Sequence, residues 1–153
     1  MTPAIRDASI DDCDTIAEFN SRLREETEGG PLDPDVIGPG VRALLTDDGM
    51  GRYWVAEIDD RVVGQIMVTY EWSDWRNGML WWIQSVYVHA EYRRRGVFSA
   101  LYRHVEALAE ATPGVAGLRL YVEENNARAQ HTYVRLGMSM TRYQVMERLF
   151  DKP

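Results

Sequence analysis

The feature that most constrains the fold is a change of hydrophobic period at Gly96. Residues 79–88 before it are rich in β-branched and aromatic side chains, as a strand is, whereas residues 97–111 repeat apolar side chains at helical spacing. A turn at 112–114 ends this helix, and residues 118–122 predict another strand. A strand, a helix and a strand in succession form a right-handed crossover, so the two strands must be parallel. We expect a ligand to bind at their carboxyl ends.

The rest of the chain predicts the elements that complete a mixed sheet. Turns at Asp59-Asp60 and Asn77-Gly78 join strands at 53–58, 62–71 and 79–88 into an antiparallel meander. Further strands are predicted at 4–8 and 142–149, and further helices at 9–27, 33–45 and 127–136. Gly38-Pro39-Gly40 is expected to interrupt or delay the helix at 33–45. The predicted class is α/β, with a mixed, mostly antiparallel sheet, helices on both faces and a parallel splayed strand pair, in a single domain across residues 1–153.

Charge is distributed unevenly along the chain, whose formal net charge is −7. Residues 1–60 contain 15 Asp or Glu and 5 Arg, whereas residues 61–153 contain 9 acids and 12 bases. This asymmetry suggests that the first part of the chain meets a cationic molecule, although solvated acidic helices would have the same composition. The net negative charge opposes nucleic-acid binding.

Composition also disfavours several kinds of site and location. Cys13 is the single cysteine, and the three histidines are widely spaced, so we expect neither a disulfide nor a metal site. The longest apolar run covers residues 79–83, which is far too short to cross a bilayer, and we expect no membrane partner. The first residues lack the pattern of a secretory signal, so we expect a cytoplasmic protein.

The first motif joins the strand at 79–88 to the helix at 97–111. Arg93, Arg94 and Arg95 stand immediately before Gly96, so guanidinium groups, backbone N–H groups and the positive end of the helix dipole converge. This convergence predicts an anion site. A solvated run of arginines at a helix start, or a nucleic-acid patch, would have the same sequence.

The second motif runs from Asn126 to Gly137 and follows the predicted strand at 118–122. By itself it is explained by Asn126 as a helix N-cap and Tyr133 as a half-buried aromatic residue. The spacing from Gly96 to Asn126 is the length that one helix and one strand require. The two motifs therefore lie on neighbouring parts of one predicted scaffold.

Together the two motifs resemble the GNAT superfamily of acyl-CoA-dependent N-acetyltransferases. The first resembles the pyrophosphate loop of that family as Arg93-x-x-Gly96-x-Phe98, although Gly or Ala is usual at the position of Phe98. The second is similar to the Asn-x-x-Ala-x-x-x-Tyr-x-x-x-Gly motif of the family, with Asn126, Ala129, Tyr133 and Gly137. The order of elements along the whole chain is similar to that fold as well.

The resemblance implies acetyl-CoA as co-substrate, and no metal. Backbone amides of the loop would hold its pyrophosphate, and the arginine side chains would add positive charge. The loop consists of Arg93, Arg94, Arg95, Gly96, Val97, Phe98, Ser99 and Ala100. Val86 and Val88 would pair their backbone with the pantetheine arm, Asn126 would hydrogen-bond that arm, and the strand edges near residues 88 and 122 would splay to admit it. Tyr133 would donate a proton to the departing sulfur, because a phenol holds its proton at neutral pH.

The site of the acceptor amine is less sharply defined. Glu71, Trp72 and Trp75 stand near the turn between two central strands, where a carboxylate and indole rings would hold a cation, although core packing explains some tryptophans equally well. The resemblance implies a base in the third central strand, but Trp82 and Gln84 there cannot accept the proton. The remaining candidates for the base are Glu71, Glu123 and ordered water.

These observations predict an acetyltransferase that moves acetyl from acetyl-CoA to a primary amine of a small molecule or peptide, by direct attack in a ternary complex. The acids of the first part, foremost Glu25, Glu26 and Glu28, favour a cationic amine. The alternative is a non-catalytic acyl-CoA-binding sensor module, which the lack of a clear base favours. A nucleic-acid-binding domain that uses the arginine run is opposed by the acidic first part. The sequence allows a homodimer and contains nothing that requires one.

Overall fold

The computed structural model describes residues 2–152. The chain divides into two compact units, of which the first ends at Tyr121 and the second begins at Val122. The prediction of a single domain across residues 1–153 stays a prediction.

Within the described residues, the first unit contains all of the strands and three α-helices. Its elements are β1 (Ala4–Asp7), α1 (Cys13–Thr27), α2 (Pro34–Leu45), β2 (Gly51–Ile58), β3 (Arg61–Ser73), β4 (Gly78–Val88), α3 (Val97–Ala111) and β5 (Val115–Leu120). Short 3₁₀ turns at Ile10–Asp12 and Ala90–Tyr92 precede α1 and α3. The second unit contains α4 (Ala127–Arg135). The predicted bounds of these elements agree with the observed ones to within a few residues.

The strands form a five-stranded sheet in the order β1-β2-β3-β4-β5. The first four strands pair antiparallel, and β4 pairs with β5 in parallel, as the crossover predicted. Asp59 and Asp60 both have positive φ, at 51° and 61°. A two-residue turn of this conformation has the same twist as the flanking strands and therefore suits the hairpin between β2 and β3. The mixed sheet with one parallel pair is therefore confirmed.

Helices cover both faces of the sheet, as predicted. On one face, α1 and α2 bury a cluster of apolar side chains against Tyr53 and Val55 of β2. On the other face, His104 of α3 meets the ring of Trp54 edge-on at 6.2 Å. Gly64 of β3 also faces α3, because a Cβ built there would lie 3.3 Å from a Val97 methyl carbon. Successive residues of β2 thus point to opposite helix layers, as the period of a strand requires.

The helix at 33–45 differs from its prediction, because Pro39 lies inside a continuous α2. Asp33 caps the helix by accepting a hydrogen bond from the amide of Asp35 at 2.9 Å. Pro34 occupies the first turn, where a backbone N–H would have no partner within the helix, so its missing N–H costs no hydrogen bond. Pro39 itself is exposed, whereas Val41 and Leu44 on the other side are buried. Burial of that apolar face offsets the single backbone hydrogen bond that Pro39 removes.

The predicted strand at 142–149 is wrong. Residues 136–152 contain no helix or strand, and every side chain from residue 139 to residue 152 is exposed. The alternation of side chains is typical of a strand, but a strand also requires a neighbouring backbone edge with which to pair. In the described chain, residues 142–149 belong to no sheet.

Residues 2–152 contain neither a membrane-spanning helix nor a cluster of metal ligands. None of the helices found there is long and apolar enough to cross a membrane. The same residues contain no group of three or more His, Cys, Asp or Glu side chains placed to hold a metal ion.

Candidate active site

The parallel strand pair separates partway along β4. Pairing with β5 runs from Met79 opposite Val115 to Ile83 opposite Leu120, where β5 ends, whereas β4 continues to Val88. Residues 85–88 therefore pair with β3 on one side and with no strand on the other, within the described chain. This confirms the splayed strand pair, and it leaves one backbone edge of β4 available to an extended ligand.

A β-bulge coincides with the point of separation. Met67 of β3 pairs with Ser85, but the next residue, Val68, pairs with Ile83, so Gln84 is the extra residue of the bulge. A bulge bends its strand and increases its twist. Because Gln84 directly follows the last residue that pairs with β5, the bulge accounts for the separation of the two strands.

The loop between β4 and α3 has two residues with left-handed backbone conformation. Arg94 has φ of 63°, and Gly96, which precedes the first residue of α3, has φ of 80°. A Cβ built on Gly96 would meet no atom within 4 Å, so the glycine is favoured by its backbone conformation and lies beside open space. The amide of Ala100 donates to the carbonyl of Gly96 at 3.0 Å, so this amide is already used by the helix.

The three arginines of the loop have different surroundings. Arg93 donates to the Glu26 carboxylate at 2.7 Å and to the Val88 carbonyl oxygen at 2.9 Å. Arg95 lies over the ring of Tyr92, at 5.3 Å from its centroid. Arg94 is exposed and makes no hydrogen bond or ion pair with another residue in the range 2–152. Arg94 is therefore the guanidinium of this loop that is best placed to meet a ligand.

Glu26 connects the end of α1 to this loop. The Tyr87 hydroxyl donates to its second carboxylate oxygen at 2.6 Å, and the Arg93 guanidinium lies over the Tyr87 ring at 5.3 Å. The hydrogen bond from Tyr87 and the contact with Arg93 lower the pKa of Glu26. Burial and the nearby carboxylate raise the pKa of Tyr87. Glu26 is thus an ionised carboxylate whose charge is largely balanced by Arg93.

Glu71 of β3 is a second carboxylate near the place where β4 and β5 separate. The Glu71 side chain accepts from the Trp82 indole N–H at 2.6 Å and from Arg119 at 3.1 Å. These two donors lower the pKa of Glu71. The Trp82 ring lies 4.6 Å from the ring of Tyr121, which is 58% exposed. Trp82 and Arg119 form the strand pair next to the last one, so this cluster borders the place where β4 and β5 separate.

The second unit holds the other predicted motif on α4. Asn126 is the N-cap, and its Oδ1 accepts from the amide of Ala129 at 3.0 Å. Gln130 donates to the carbonyl oxygens of Glu123 and Glu124, which holds the turn before the helix. Tyr133 is half-buried and lies seven residues after Asn126, so both residues are on the same side of α4.

Comparison with known proteins agrees with this geometry. The sequence matches the Acetyltransferase (GNAT) family over residues 15–138. The chain belongs to the GNAT acetyltransferase family. A solved structure of a possible acetyltransferase from Clostridium difficile 630 has 48% identity, covers 99% of this chain and 100% of its own, and has a TM-score of 0.93. No curated protein matches the chain.

More distant acetyltransferase structures share the fold. Ribosomal-protein-alanine N-acetyltransferase from Brucella melitensis biovar Abortus 2308 has 16% identity and a TM-score of 0.76, with 97% of this chain and 100% of that chain covered. An aminoglycoside acetyltransferase from an uncultured soil metagenomic sample, in complex with sisomicin, has 15% identity and a TM-score of 0.72, with 99% and 97% covered. At these identities the likeness shows the fold alone. Membership of the family supports acetyl transfer, and the family generally uses acetyl-CoA.

In this GNAT acetyltransferase, the predicted acceptor tryptophans lie away from the strand separation. Trp72 is 58% exposed opposite Met79, and Trp75 is 91% exposed in the turn that precedes β4. From Gly78 to Ile83 is five residues, or roughly 17 Å of strand. The turn lies before the first pair of the β4–β5 ladder, whereas the strands separate after its last pair, at Ile83. The turn and the separation are therefore at opposite ends of the ladder. Their role in acceptor binding stays a prediction.

Sequence reasoning missed the residues that act through distant partners. Trp81 is buried and stacks on Trp54 at 6.1 Å, which agrees with the core-packing alternative. Trp82 orients Glu71, and Tyr87 orients Glu26, although each pair is well separated in the chain. The exposure of Gln84 at the bulge was not predicted either. Gln84 and Ser85 form a polar pair in an otherwise apolar strand, and this pair is the one feature of the sequence that indicates an irregular strand there.

Proposed function

We propose that this protein transfers acetyl from acetyl-CoA to a primary amine of a small molecule or peptide, by direct attack in a ternary complex. The observation that supports the proposal most is the separation of β4 from β5 after Ile83, on the strand that leads through Gly96 into α3. An open backbone edge and a helix start thus follow one another along the chain. This order suits a ligand that has an amide-containing arm and a pyrophosphate.

The proposed cofactor contacts are mainly backbone contacts. The loop amides up to Ser99 and the side chain of Arg94 would hold the pyrophosphate, whereas Ala100 already donates to Gly96. The backbone of Val86 and Val88 would pair with the pantetheine arm, although the carbonyl of Val88 already accepts from Arg93. Asn126 keeps its Nδ2 donor for that arm, because only its Oδ1 is used in capping.

The proposed reaction forms one bond and breaks another. The amine nitrogen attacks the thioester carbonyl carbon, the carbon–sulfur bond breaks, and Tyr133 donates its phenolic proton to the leaving sulfur. The acceptor loses its proton to a base, and solvent returns a proton to Tyr133. No residue of the protein becomes acylated in this scheme.

Glu71 is the proposed carboxylate for the acceptor nitrogen. Its lowered pKa keeps it ionised at neutral pH, so it attracts a cationic amine. The same low pKa makes it a weak base toward an ammonium group, whose pKa is about 10. We therefore assign Glu71 to orienting the amine, with proton removal through water, and Glu123 as the other candidate for the base.

The acidic first part of the chain supports a cationic acceptor. Glu25 and Asp35 are exposed and make no ion pair with another described residue, and Glu28 has only a long contact of 3.8 Å with Arg24. Glu26 contributes less, because Arg93 balances its charge, and Asp33 is used as the cap of α2. The remaining negative potential would raise the encounter rate of a positively charged amine.

One observation favours a non-catalytic acyl-CoA sensor as the second candidate. Glu71, a carboxylate beside the strand separation, is already held by Trp82 and Arg119. A sensor would bind acetyl-CoA without needing a base.

Thiol release from acetyl-CoA across a panel of amines tests both candidates. We expect release with at least one cationic primary amine, and a kcat/KM for it that falls with rising salt. Binding of acetyl-CoA by calorimetry, without thiol release from any amine, would support the sensor instead. A preference for neutral or anionic amines would contradict the cationic acceptor.

Two variants locate the acceptor. Glu71→Gln is expected to lower kcat/KM for the best cationic amine by roughly tenfold or more, with little change for a neutral amine of matched size. Trp75→Ala tests the predicted tryptophan site in the turn before β4: a similar loss would show that Trp75 also holds the amine, whereas values near wild type would assign the amine to Glu71 without Trp75. A large loss with Trp75→Ala and none with Glu71→Gln would place the acceptor at the tryptophans.

A further inference from the structure

A cluster of hydrogen-bond donors surrounds one aromatic ring beside the loop that leads into α3. This donor cluster is defined here as Arg61, His89, Tyr92 and Arg95. The guanidinium carbon of Arg61, at the start of β3, lies 5.5 Å from the centroid of the Tyr92 ring, and that of Arg95 lies 5.3 Å from it. The His89 ring meets Tyr92 edge-on, with 5.8 Å between the centroids. Tyr92 thus brings two guanidinium groups and an imidazole together next to Gly96.

The two guanidinium groups of the donor cluster have no carboxylate partner. Among the described residues, no Asp or Glu forms an ion pair with Arg61 or Arg95, although Asp60 and Glu91 are close in sequence. Contact with the aromatic ring stabilises each cation but does not neutralise its charge. Two unneutralised positive charges around one ring repel each other and attract an anion.

The hydrogen bonding of His89 points to a missing acceptor at the same place. Its Nδ1 accepts from the amide of Glu91 at 3.2 Å, and its Nε2 faces Nη2 of Arg61 at 3.3 Å. Arginine has donors only, so both ring nitrogens face N–H groups, whereas a neutral imidazole has one acceptor nitrogen and one N–H group. With Nδ1 used as an acceptor, the Nε2–H of His89 faces an N–H of Arg61. An anion that accepts from both groups would remove this contact between two donors.

The place of the donor cluster in the fold favours a phosphate of acetyl-CoA as that anion. A phosphate has several acceptor oxygens and suits guanidinium groups, which present their N–H groups as a fork. Arg95 directly precedes Gly96, in the loop that is proposed to hold the pyrophosphate. Acetyl-CoA carries a third phosphate on the 3′-oxygen of the same ribose whose 5′-oxygen bears the pyrophosphate. The third phosphate is therefore only one sugar away from the pyrophosphate.

We propose that the donor cluster binds the 3′-phosphate of acetyl-CoA. This inference rests on the proposed use of acetyl-CoA and adds a second anion site to it. Arg94 and the loop amides hold the pyrophosphate, whereas Arg61, Arg95 and the Nε2–H of His89 donate to the 3′-phosphate. The protein then distinguishes acetyl-CoA from acetyl-dephospho-CoA, which lacks only that phosphate.

Binding of these two ligands to the wild-type protein gives the first test. Calorimetry should show that acetyl-CoA binds roughly tenfold more tightly or better, because hydrogen bonds between charged groups are lost with the phosphate. This affinity ratio should fall as the salt concentration rises. Equal affinities would overturn the proposal and leave acetyl-CoA binding intact. Binding of neither ligand would instead contradict the proposed function, and this inference with it.

Arg61→Gln tests whether the donor cluster causes the ratio. The ratio should fall to about threefold or less, with an unchanged affinity for acetyl-dephospho-CoA, because the variant removes a charge-assisted contact with the 3′-phosphate alone. Arg95→Gln should act in the same direction. Arg103→Gln, which removes an arginine that lies over the ring of Tyr102 in α3, is the matched control and should keep the wild-type ratio. A wild-type ratio in Arg61→Gln, or an equal loss of affinity for both ligands, would overturn the proposal.

Arg94→Gln separates the two anion sites. Both ligands contain the pyrophosphate, so this variant should weaken both by the same factor and keep the wild-type ratio. The opposite pattern, in which Arg94→Gln removes the ratio and Arg61→Gln does not, would place the 3′-phosphate at Arg94 and overturn the proposal.

Discussion

Arg93 donates to Glu26 at 2.7 Å and thereby joins the loop before α3 to the end of α1. The same guanidinium also donates to the carbonyl of Val88. The first arginine of the anion motif thus has structural partners, whereas Arg94 has none among the described residues. A basic motif in a sequence therefore does not mean that every positive charge in it meets the ligand.

The two arginines should respond differently to loss of charge. Arg94→Gln is expected to weaken acetyl-CoA binding roughly five- to thirtyfold, because it removes a charge-assisted contact of about 1–2 kcal/mol. Arg93→Gln is expected to lower the free energy of unfolding by up to about 1 kcal/mol, since the ion pair is partly exposed, with a smaller effect on binding. Calorimetry and urea unfolding measure the two effects.

Glu26→Gln provides the control for the Arg93 effect. It should cost a similar amount of stability, and the double variant should cost less than the sum, because both changes remove one interaction. If Arg93→Gln weakened acetyl-CoA binding as much as Arg94→Gln, the assignment of Arg93 to a structural role would be wrong.

Gly96→Glu is expected to abolish acetyl-CoA binding. The carboxylate would repel the pyrophosphate, and the side chain would occupy the open space beside the loop. Gly114→Glu is a close control, because Gly114 has φ of 83°, nearly that of Gly96, and its Cβ would likewise meet no atom within 4 Å. Titration calorimetry should show loss of binding for the first variant only. Equal loss in both would point to backbone strain instead of the site.

Tyr133→Phe is expected to slow turnover by roughly 10- to 10⁴-fold with nearly unchanged acetyl-CoA affinity, because a general acid acts in the transition state. Tyr143→Phe, which removes another hydroxyl from the second unit, should keep the wild-type rate. Thiol release and calorimetry measure the rate and the affinity. A wild-type rate for Tyr133→Phe would mean that solvent or another group protonates the sulfur.

Asp12 should make stability sensitive to acid. Hydrogen bonds from Arg6, at 2.8 and 2.9 Å, and from the amide of Ser9 lower the pKa of this carboxyl in the folded state. Its contribution is therefore complete above the unfolded pKa of about 4 and is lost as the pH falls through the folded value. Asp12→Asn should cost about 1–2 kcal/mol at pH 7, and less at pH 3.

Asp11→Asn is the control for this pH dependence. Asp11 is exposed in the same turn, so its substitution should change the free energy of unfolding by no more than about 0.5 kcal/mol at either pH. Urea unfolding across the pH range gives both values. A cost of Asp12→Asn that stayed constant from pH 7 to pH 3 would contradict the role of its ionisation.

The sequence by itself determined the features that depend on consecutive residues. The period change at Gly96 and the turn at Asp59-Asp60 specified the order of strands and helices, because turn geometry and side-chain period are local properties. The handedness of the crossover then required a parallel pair of β4 and β5. The family resemblance followed from two short motifs on that scaffold, Arg93 to Phe98 and Asn126 to Gly137.

Tertiary structure alone decided which polar groups meet and where strands end. Glu26 and Arg93 are 67 residues apart, and Glu71 meets Arg119 across 48, so no local pattern reveals these pairs. The bulge at Gln84 depends on the register with β3. Residues 142–149 have the alternation of a strand and yet form none in the described chain, because strand formation needs the hydrogen-bonding edge of a neighbour as well as a suitable sequence.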